Sequence, residues 1–222
     1  MAGVTPAAAG RAAEALHRFN ARHPWDHNAH YHPWITRQLP RHVTSALDVG
    51  CGSGDLARLL ARRATRVHGI DADPAILARA RALTPPALPV AYTLGDAMTG
   101  LPPGPHDAIT CVAVLHHLPL TEALTAFREH LAPGGTLVVL GLHRPRTPGD
   151  FLLEAAAIPA NAALGWLKNR GRRAPRPVAM TAPTRPAETT YAEIVREAGR
   201  VLPGARIRRR LFWRWSLVWH RP

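Results

Sequence analysis

The sequence contains few cysteines, and it lacks both a long uninterrupted apolar segment and the pattern of a secretion signal. Its two cysteines, Cys51 and Cys111, lie far apart, so they predict no disulfide framework and favour a reducing compartment. The most apolar helical stretch, residues 150–166, is interrupted by Pro159 and is too short to span a bilayer. Residues 1–10 have no basic start and no long apolar core. These absences predict a cytoplasmic protein without a transmembrane segment.

Lysine is nearly absent as well, and this changes how the positive charge is interpreted. The formal net charge is +13, yet Lys168 is the only lysine. Clustered cations release counterions from phosphate backbones, so a charge of this size raises nucleic acid as a partner. Here the arginines are spread along the chain, with local clusters at residues 168–176 and 206–210, and no recognised nucleic-acid module accompanies them. We therefore expect no nucleic-acid partner, and an RNA or DNA substrate is kept as an alternative.

The most informative segment is rich in glycine and covers residues 46–57. An apolar run that ends in Asp48 is followed by glycines at every second position, Gly50, Gly52 and Gly54. Glycine adopts positive φ without steric cost and lets the backbone approach a ligand closely. A helical pattern follows directly, so the segment predicts the strand, tight loop and helix that open a doubly wound nucleotide-binding sheet. It also satisfies a relaxed dinucleotide fingerprint, so a dinucleotide-binding protein stays open at this point.

Acidic residues at the ends of three predicted strands indicate which nucleotide is bound. Asp48 ends the first strand, where a carboxylate accepts a hydrogen bond from an ammonium group but repels a pyrophosphate. Asp71 ends the second strand and suits the paired hydroxyls of a ribose. Asp96 follows the third strand, where it could accept from the exocyclic amine of an adenine. Together the three acids describe an adenosine that carries an amino acid.

Five motifs in a fixed order carry a resemblance to a known family. They are residues 47–54, 69–74, 95–96, 107–118 and 131–139. On these motifs the chain resembles the class I S-adenosylmethionine-dependent methyltransferases, in particular the small-molecule group that includes the ubiquinone and menaquinone biosynthesis methyltransferases. The resemblance implies an α/β fold with a doubly wound, seven-stranded, mostly parallel sheet, helices on both faces and an antiparallel C-terminal strand. It also implies S-adenosylmethionine as cofactor and S-adenosylhomocysteine as product.

The resemblance assigns a set of cofactor-binding residues. By it, the acid and the glycines of the first motif line the methionine part, the acid of the second strand takes the ribose, and the acid of the third lies by the adenine. The alanines that follow the second, third and fourth strands join the same site. Related enzymes also close an amino-terminal helix over the cofactor. The expected cofactor-binding residues are Asn28, Tyr31, Asp48, Gly50, Gly52, Gly54, Asp71, Ala72, Asp96, Ala97 and Ala113.

The predicted amino-terminal helix, residues 24–38, has a face that is both aromatic and polar. At 3.6 residues per turn, His27, His30, Tyr31 and Trp34 fall on one side. A core stripe would more often be aliphatic, so His27, His30 and Trp34 are expected to bind the substrate, with Tyr31 as a catalytic candidate. The alternative is a helix packed on the sheet edge with solvated histidines. No familiar zinc spacing surrounds these histidines, so no metal is expected.

The acceptor side of the cleft is predicted from two later parts of the chain. After the fourth strand, the turn at residues 113–118 lies at the carboxyl edge of the sheet. There His116 is expected to face the cleft as a substrate-binding and catalytic residue, a neutral imidazole able to take a proton, unless it only shapes the turn. Residues 143–189 are a candidate substrate lid, on which His143 and Phe151 are expected substrate contacts. Peripheral contact of its apolar helix with a membrane stays possible.

The regions combine into one functional hypothesis. Residues 1–40 form an N-terminal helical cap, 41–142 the cofactor-binding core, 143–189 the lid, and 190–222 a C-terminal helix and strand pair that completes the sheet. In the last region, Trp213, Trp215 and Trp219 share one strand face and are expected to pack in the core. We predict methyl transfer from S-adenosylmethionine to oxygen, nitrogen or carbon of a small natural product or lipophilic metabolite. The alternative from another class is a non-catalytic cofactor-binding or regulatory subunit.

Overall fold

Seven strands form a single sheet flanked by helices in the computed structural model, which describes residues 6–181 and 185–222. The strands are β1 (Val43–Val49), β2 (Ala64–Asp71), β3 (Val90–Leu94), β4 (His106–Val112), β5 (Leu131–Gly141), β6 (Arg206–Arg210) and β7 (Arg214–His220). The α-helices are α1 (Pro6–Arg22), α2 (His27–Gln38), α3 (Asp55–Leu60), α4 (Pro74–Leu83), α5 (Leu120–His130), α6 (Pro148–Lys168) and α7 (Tyr191–Val201). Two short 3₁₀ turns cover Leu115–His117 and Val178–Thr181.

The strand order is β3-β2-β1-β4-β5-β7-β6. The first five strands pair in parallel, while β7 runs antiparallel to both β5 and β6. The predicted fold class is therefore confirmed, including the antiparallel end. Because β1 and β4 lie at the centre with neighbours on both sides, their carboxyl ends open a crevice at the point where the strand order reverses.

Two apolar layers cover the faces of the sheet. One contains Leu124 and Phe127 of α5 together with Ile194 of α7. The other contains Ile35 of α2 and Leu60 of α3. Burial on both faces explains why buried and exposed positions do not alternate along β1, in which every residue except Thr44 is buried.

The amino-terminal cap and the candidate lid pack against each other. The indole Nε1 of Trp25 donates to the Asn161 backbone oxygen at 3.1 Å and to its side-chain Oδ1 at 2.9 Å. At the other end of the contact, Asn169 Nδ2 donates to the backbone oxygen of Pro24 at 3.0 Å. The lid segment contributes one continuous helix, α6, which passes through Pro159. Its first turn is joined to β6 by the Arg209–Asp150 ion pair at 2.7 Å.

The tryptophans of the last strand do not all behave as expected. Trp215 and Trp219 are buried in the layer beneath α5 and α7, as predicted. For Trp213 the predicted strand face was wrong, because this residue lies in the β6–β7 turn with φ of 59°, but it still packs, partly buried, against the opposite core layer. Phe212, beside it, has the same φ and is 2 % exposed. The chain direction reverses there, so the period of two does not extend to Trp213.

Candidate cofactor and acceptor site

The glycine-rich loop after β1 has the backbone conformation that its sequence requires. Gly50, Gly52 and Gly54 have φ of 67°, 52° and 77°, a region that side-chain-bearing residues rarely adopt. A Cβ on Gly50 would lie 2.0 Å from Val114 Cγ2, whereas a Cβ on Gly52 would meet nothing within 4 Å. Gly50 is therefore needed for packing, and Gly52 leaves open space where a ligand can approach the backbone.

Asp71 holds this loop in place from the end of β2. Its Oδ2 accepts a hydrogen bond from the Gly52 N–H at 2.8 Å, and its Oδ1 accepts from the Asp73 N–H at 3.0 Å. A carboxylate has about four lone-pair positions, so both oxygens can accept further hydrogen bonds from a ligand. Asp73 itself caps α4, accepting from Ala75 N and Ile76 N. The two neighbouring acids thus have different roles.

Asp48 is a buried carboxyl group at the bottom of the crevice. It is 2 % exposed, and its Oδ1 accepts a hydrogen bond from Thr110 Oγ1 at 2.7 Å. Burial, together with the nearby Asp71 and Asp55 carboxylates, raises the pKa of Asp48 to about 7 despite the hydrogen bond from Thr110. A buried acid with this little compensation is suited to pair with a ligand cation. This chemistry fits the ammonium group of S-adenosylmethionine.

The remaining predicted cofactor residues lie at the same edge of the sheet. Asp96 is exposed after β3, and its Oδ1 accepts from Met98 N at 2.6 Å. Ala72 and Ala97 follow the acids of β2 and β3. Ala113 follows β4 with φ of 56°, a conformation unusual for a residue that carries a Cβ. Such local strain is common where a backbone is shaped around a ligand.

Asn28 and Tyr31 lie on α2 but already have protein partners. Arg214 donates to Asn28 Oδ1 from Nε at 3.1 Å and from Nη2 at 2.9 Å. The Tyr31 hydroxyl donates to the Leu211 backbone oxygen at 2.9 Å. Both contacts attach α2 to the β6–β7 hairpin. The structure therefore gives these residues a positioning role, and their cofactor contacts remain a prediction.

The aromatic face of α2 packs against the hairpin turn. The rings of His27 and His30 lie 5.9 and 5.4 Å from the ring of Phe212, and Trp25 is 4.9 Å from it. His27 Nε2 also lies 2.7 Å from Asn161 Oδ1 of α6. The guanidinium of Arg210 covers the ring of Trp34 at 4.4 Å. These contacts correspond more closely to the packed-helix alternative than to a ligand-covering face, although the histidines are half-buried rather than solvated.

His116 lies on the turn after β4, beside the crevice. Its Nδ1 is buried and has no hydrogen-bond partner among the residues the structure describes. Burial, with smaller contributions from His117 and Arg214, lowers the pKa of His116 to about 4. The imidazole is therefore neutral near pH 7, as predicted, but it is a weaker proton acceptor than an ordinary histidine.

Two side chains that the sequence did not assign to the cofactor or acceptor site also belong to this region. Arg214 begins β7, and no carboxylate of the described chain lies within 4.0 Å of its guanidinium; burial lowers its pKa to about 10. It was detectable as the one charge within an aromatic and apolar stretch.

His32 is half-buried, and its pKa is lowered by burial although Asp26 and Asp55 oppose this. Its position four residues after Asn28 places it on the same helix face.

A cavity of about 420 Å³ opens between α2, the start of α6 and the β6–β7 turn. Its walls include His30, Tyr31, Leu153 and Arg210. β7 begins at this turn and pairs with the end of β5, so the cavity adjoins the carboxyl edge of the sheet. A second cavity of about 470 Å³, lined by residues including Ser45 and His106, lies near the starts of β1 and β4. We assign no cofactor or acceptor contact to the second cavity.

The two remaining substrate candidates lie in the segment after β5. His143 follows β5, and its ring is 5.7 Å from the ring of Tyr191. Phe151 lies on the outward side of α6 and is 54 % exposed. Within residues 6–181 and 185–222, no three His, Cys, Asp or Glu side chains are grouped to hold a metal ion. No helix in these same ranges is long and apolar enough to cross a membrane.

Comparisons with known proteins agree with this geometry. The family model described as "Methyltransferase domain" matches residues 47–139. An uncharacterised methyltransferase of Mycobacterium tuberculosis is 33 % identical over 202 residues, covering 90 % of this chain and 98 % of its own length. A ubiquinone biosynthesis O-methyltransferase of Xylella fastidiosa is 34 % identical over 125 residues, covering 54 % of this chain and 50 % of its own.

A solved structure extends the likeness to the whole fold. Magnesium protoporphyrin IX methyltransferase from Synechocystis, solved with bound S-adenosylhomocysteine, superposes with a TM-score of 0.56 at 17 % identity. The match covers 100 % of this chain and 90 % of that one. The family model, the relatives and the solved structure indicate the same family as the crevice does, with its buried acid and its glycine-rich loop. The chain belongs to the class I S-adenosylmethionine-dependent methyltransferases and is an enzyme of that family.

Proposed function

We propose that this methyltransferase acts on a small-molecule acceptor that approaches between α2, the His116 turn and the β6–β7 hairpin. The observation that carries the proposal is the cavity of about 420 Å³ lined by α2, the start of α6 and the β6–β7 hairpin, a volume within the range of small-molecule sites. The named relatives that act in ubiquinone biosynthesis and on magnesium protoporphyrin IX lend support by analogy. A natural product or lipophilic metabolite is the acceptor class we favour.

The same proposal assigns the cofactor contacts. Asp48 pairs with the ammonium group, Asp71 accepts from the ribose hydroxyls, and Asp96 accepts from the adenine amine. The open face of Gly52 allows the backbone to approach the methionine part. Asn28 and Tyr31, held by the hairpin, close this side of the crevice.

Orientation of the acceptor supplies most of the catalysis in this proposal. When bound, the cofactor offers a methyl group on a positively charged sulfur, which is already activated toward displacement. The protein's task is then chiefly alignment, which can contribute about 7 to 11 kcal/mol. A strong general base is not required, in keeping with the low pKa of His116.

Arg214 favours an oxygen acceptor that is acidic. Its guanidinium lies near enough to His116 to lower that residue's pKa, so it imposes a positive potential on the acceptor side. A positive potential stabilises a phenolate or carboxylate over its protonated form. The acceptor can therefore arrive as an anion, without transferring its proton to His116.

The decisive experiment supplies cofactor with a deuterated methyl group and two sets of acceptors. One set is a metabolite extract freed of macromolecules, and the other is total RNA and DNA. We expect S-adenosylhomocysteine and a deuterium-labelled product from the metabolite extract alone, detected by mass spectrometry. Label transferred only to nucleic acid would overturn the proposal in favour of the RNA or DNA alternative.

Matched variants connect that activity to the assigned site. Asp71→Ala should weaken cofactor binding by about 1 to 3 kcal/mol, because a ribose hydrogen bond and the Gly52 contact are both lost. Asp73→Ala is the control, since it removes only the cap of α4 and should leave the affinity nearly unchanged. Equal affinities of the two variants, measured by isothermal titration, would remove Asp71 from the site.

A further inference from the structure

Helix α6 exposes more large apolar side chains than an ordinary surface helix does. Its inward positions include the small or polar residues Ala157, Asn161 and Gly165 together with Leu164, and these contact the cap and the core. Its outward positions carry large apolar side chains. Leu152 is 75 % exposed, Leu167 58 %, Phe151 54 %, Trp166 49 % and Ile158 43 %. A surface helix normally turns its apolar stripe toward the core, whereas nothing within residues 6–181 and 185–222 covers this face.

The outward face is continuous and uncharged. The exposed positions between residues 151 and 167 are Phe151, Leu152, Ala155, Ala156, Ile158, Pro159, Ala163, Trp166 and Leu167. At about 100° per residue these positions fall within roughly half of the helix circumference. They extend for about 24 Å along the axis at 1.5 Å per residue. We call this surface the outer face of α6.

The chain immediately after this helix is strongly basic. Lys168, Arg170, Arg172, Arg173 and Arg176 are all exposed, and no Asp or Glu occurs between Glu154 and Glu188. Helix α6 ends at Lys168, and just beyond it the Gly171 N–H donates to the Trp166 backbone oxygen at 2.8 Å. The cations therefore begin directly after the apolar face. An exposed apolar helix face with adjoining cations matches the surface of an anionic bilayer in both chemistry and charge.

We infer that the outer face of α6 and the basic segment after it dock the enzyme on the surface of an anionic lipid bilayer. The apolar side chains enter the region between headgroups and acyl chains, and the arginines contact the lipid phosphates. A second copy of this chain is a poorer occupant, because the +13 net charge and two facing arginine segments would repel. Docking of this kind is peripheral, and it can be measured without any methyl transfer.

Vesicle sedimentation tests this inference directly. The full chain is mixed with phosphatidylcholine vesicles, or with phosphatidylcholine vesicles that also contain phosphatidylglycerol, and the bound fraction is measured at increasing salt. We expect binding to the anionic vesicles, little to the neutral ones, and a decline of binding as salt rises from about 0.1 M to about 1 M. No binding to either vesicle, or equal binding to both, contradicts the inference.

Paired variants identify the surface responsible. Leu152→Glu combined with Leu167→Glu should reduce partition onto anionic vesicles about tenfold or more. The control pair is Leu83→Glu with Val195→Glu, at positions 49 % and 40 % exposed on α4 and α7, which adds the same charge elsewhere. Arg172→Ser with Arg173→Ser should likewise weaken binding more than Arg62→Ser with Arg79→Ser, two exposed arginines on the core.

The outcome separates this inference from its rivals and from the proposed function. If the α6 pair binds vesicles as well as its control pair does, the inference is overturned. If light scattering shows a dimer that Leu152→Glu dissociates, the face belongs to a second copy and the inference also fails. The proposed function is tested separately. If the Leu152→Glu/Leu167→Glu variant or its control pair still methylates a soluble small molecule, the proposed function stands even when the vesicle experiment fails.

Discussion

Asp48 is a carboxyl group whose ionisation depends on what occupies the crevice. Its folded pKa of about 7 lies above the ordinary value of 3.8, so the folded chain keeps a proton that the unfolded chain has lost. As pH rises through this window, Asp48 therefore lowers the free energy of unfolding of the ligand-free enzyme. A bound ammonium group has the opposite effect, because a neighbouring positive charge lowers the pKa of Asp48 and favours its carboxylate form.

We predict that cofactor affinity falls as pH is lowered from about pH 8 to about pH 6, because binding must then release the Asp48 proton. Asp48→Asn should lose about 1.5 to 3 kcal/mol of binding free energy at the upper pH, together with the pH dependence. Its ligand-free form should be at least as stable as the wild type there, since a buried charge is gone. Isothermal titration in buffers of different ionisation enthalpy measures the released proton. No proton release by the wild type would refute the ammonium assignment.

His116 tests whether catalysis needs a base. With a pKa of about 4, the imidazole is neutral from about pH 6 to 8, so its titration cannot change the rate in that range. We expect His116→Ala to reduce kcat/KM about tenfold to a hundredfold through a lost hydrogen bond to the acceptor, without altering the pH profile or the affinity for S-adenosylhomocysteine. His117→Ala, a neighbour that is more exposed, is the control. A titration near neutral pH that disappears with His116 would restore it as a general base.

At the scale of elements, the contact between α6 and the cap depends on a glycine. A Cβ on Gly165 would lie 2.5 Å from the backbone oxygen of His23, so a larger residue forces the two segments apart. Gly199, in α7, offers a comparison, because its Cβ would meet nothing within 4 Å. Alanine improves helix propensity at both positions by about 1 kcal/mol.

Gly165→Ala should therefore destabilise the enzyme by about 1 to 3 kcal/mol despite its better propensity, while Gly199→Ala should stabilise it by about 0.5 to 1 kcal/mol. Urea unfolding curves give both values. Two variants of equal stability would show that α6 is not packed tightly on the residues around His23.

The elements differ in how far the sequence could predict them. β3 ends directly before residues 95–96, as predicted from the acid that follows it, and the C-terminal helix and strand pair expected in residues 190–222 are observed as α7, β6 and β7. The face of α2 could not be assigned from its own residues, since Phe212 and Asn161, which contact it, lie more than 130 positions away. The role of Arg214 was missed for the same reason: its apolar neighbours mark it as an unusual charge, but its hydrogen-bond partner Asn28 lies 186 positions away.

At the scale of the whole molecule, cofactor binding and folding are coupled because Asp71 of β2 holds the glycine-rich loop after β1, so the crevice exists only in the folded chain. A ligand that binds only the folded chain, at about 100 times its Kd, adds about 2.7 kcal/mol to the free energy of unfolding. We predict this gain for S-adenosylhomocysteine and none for NAD, measured by urea denaturation at matched concentrations. Stabilisation by NAD instead would favour the dinucleotide alternative that the glycine loop left open.

The contacts between Trp25 and Asn161 and between Asn169 and Pro24 join residues 136 and 145 positions apart. During synthesis, α1 and α2 therefore emerge from the ribosome long before their docking surface on α6 exists, whereas β1, β2 and β3 can pair soon after they are made. Contacts of such long range carry the larger loop-closure entropy and form slowly. The nascent enzyme should thus assemble its nucleotide crevice first and join its cap to α6 only as a late folding event.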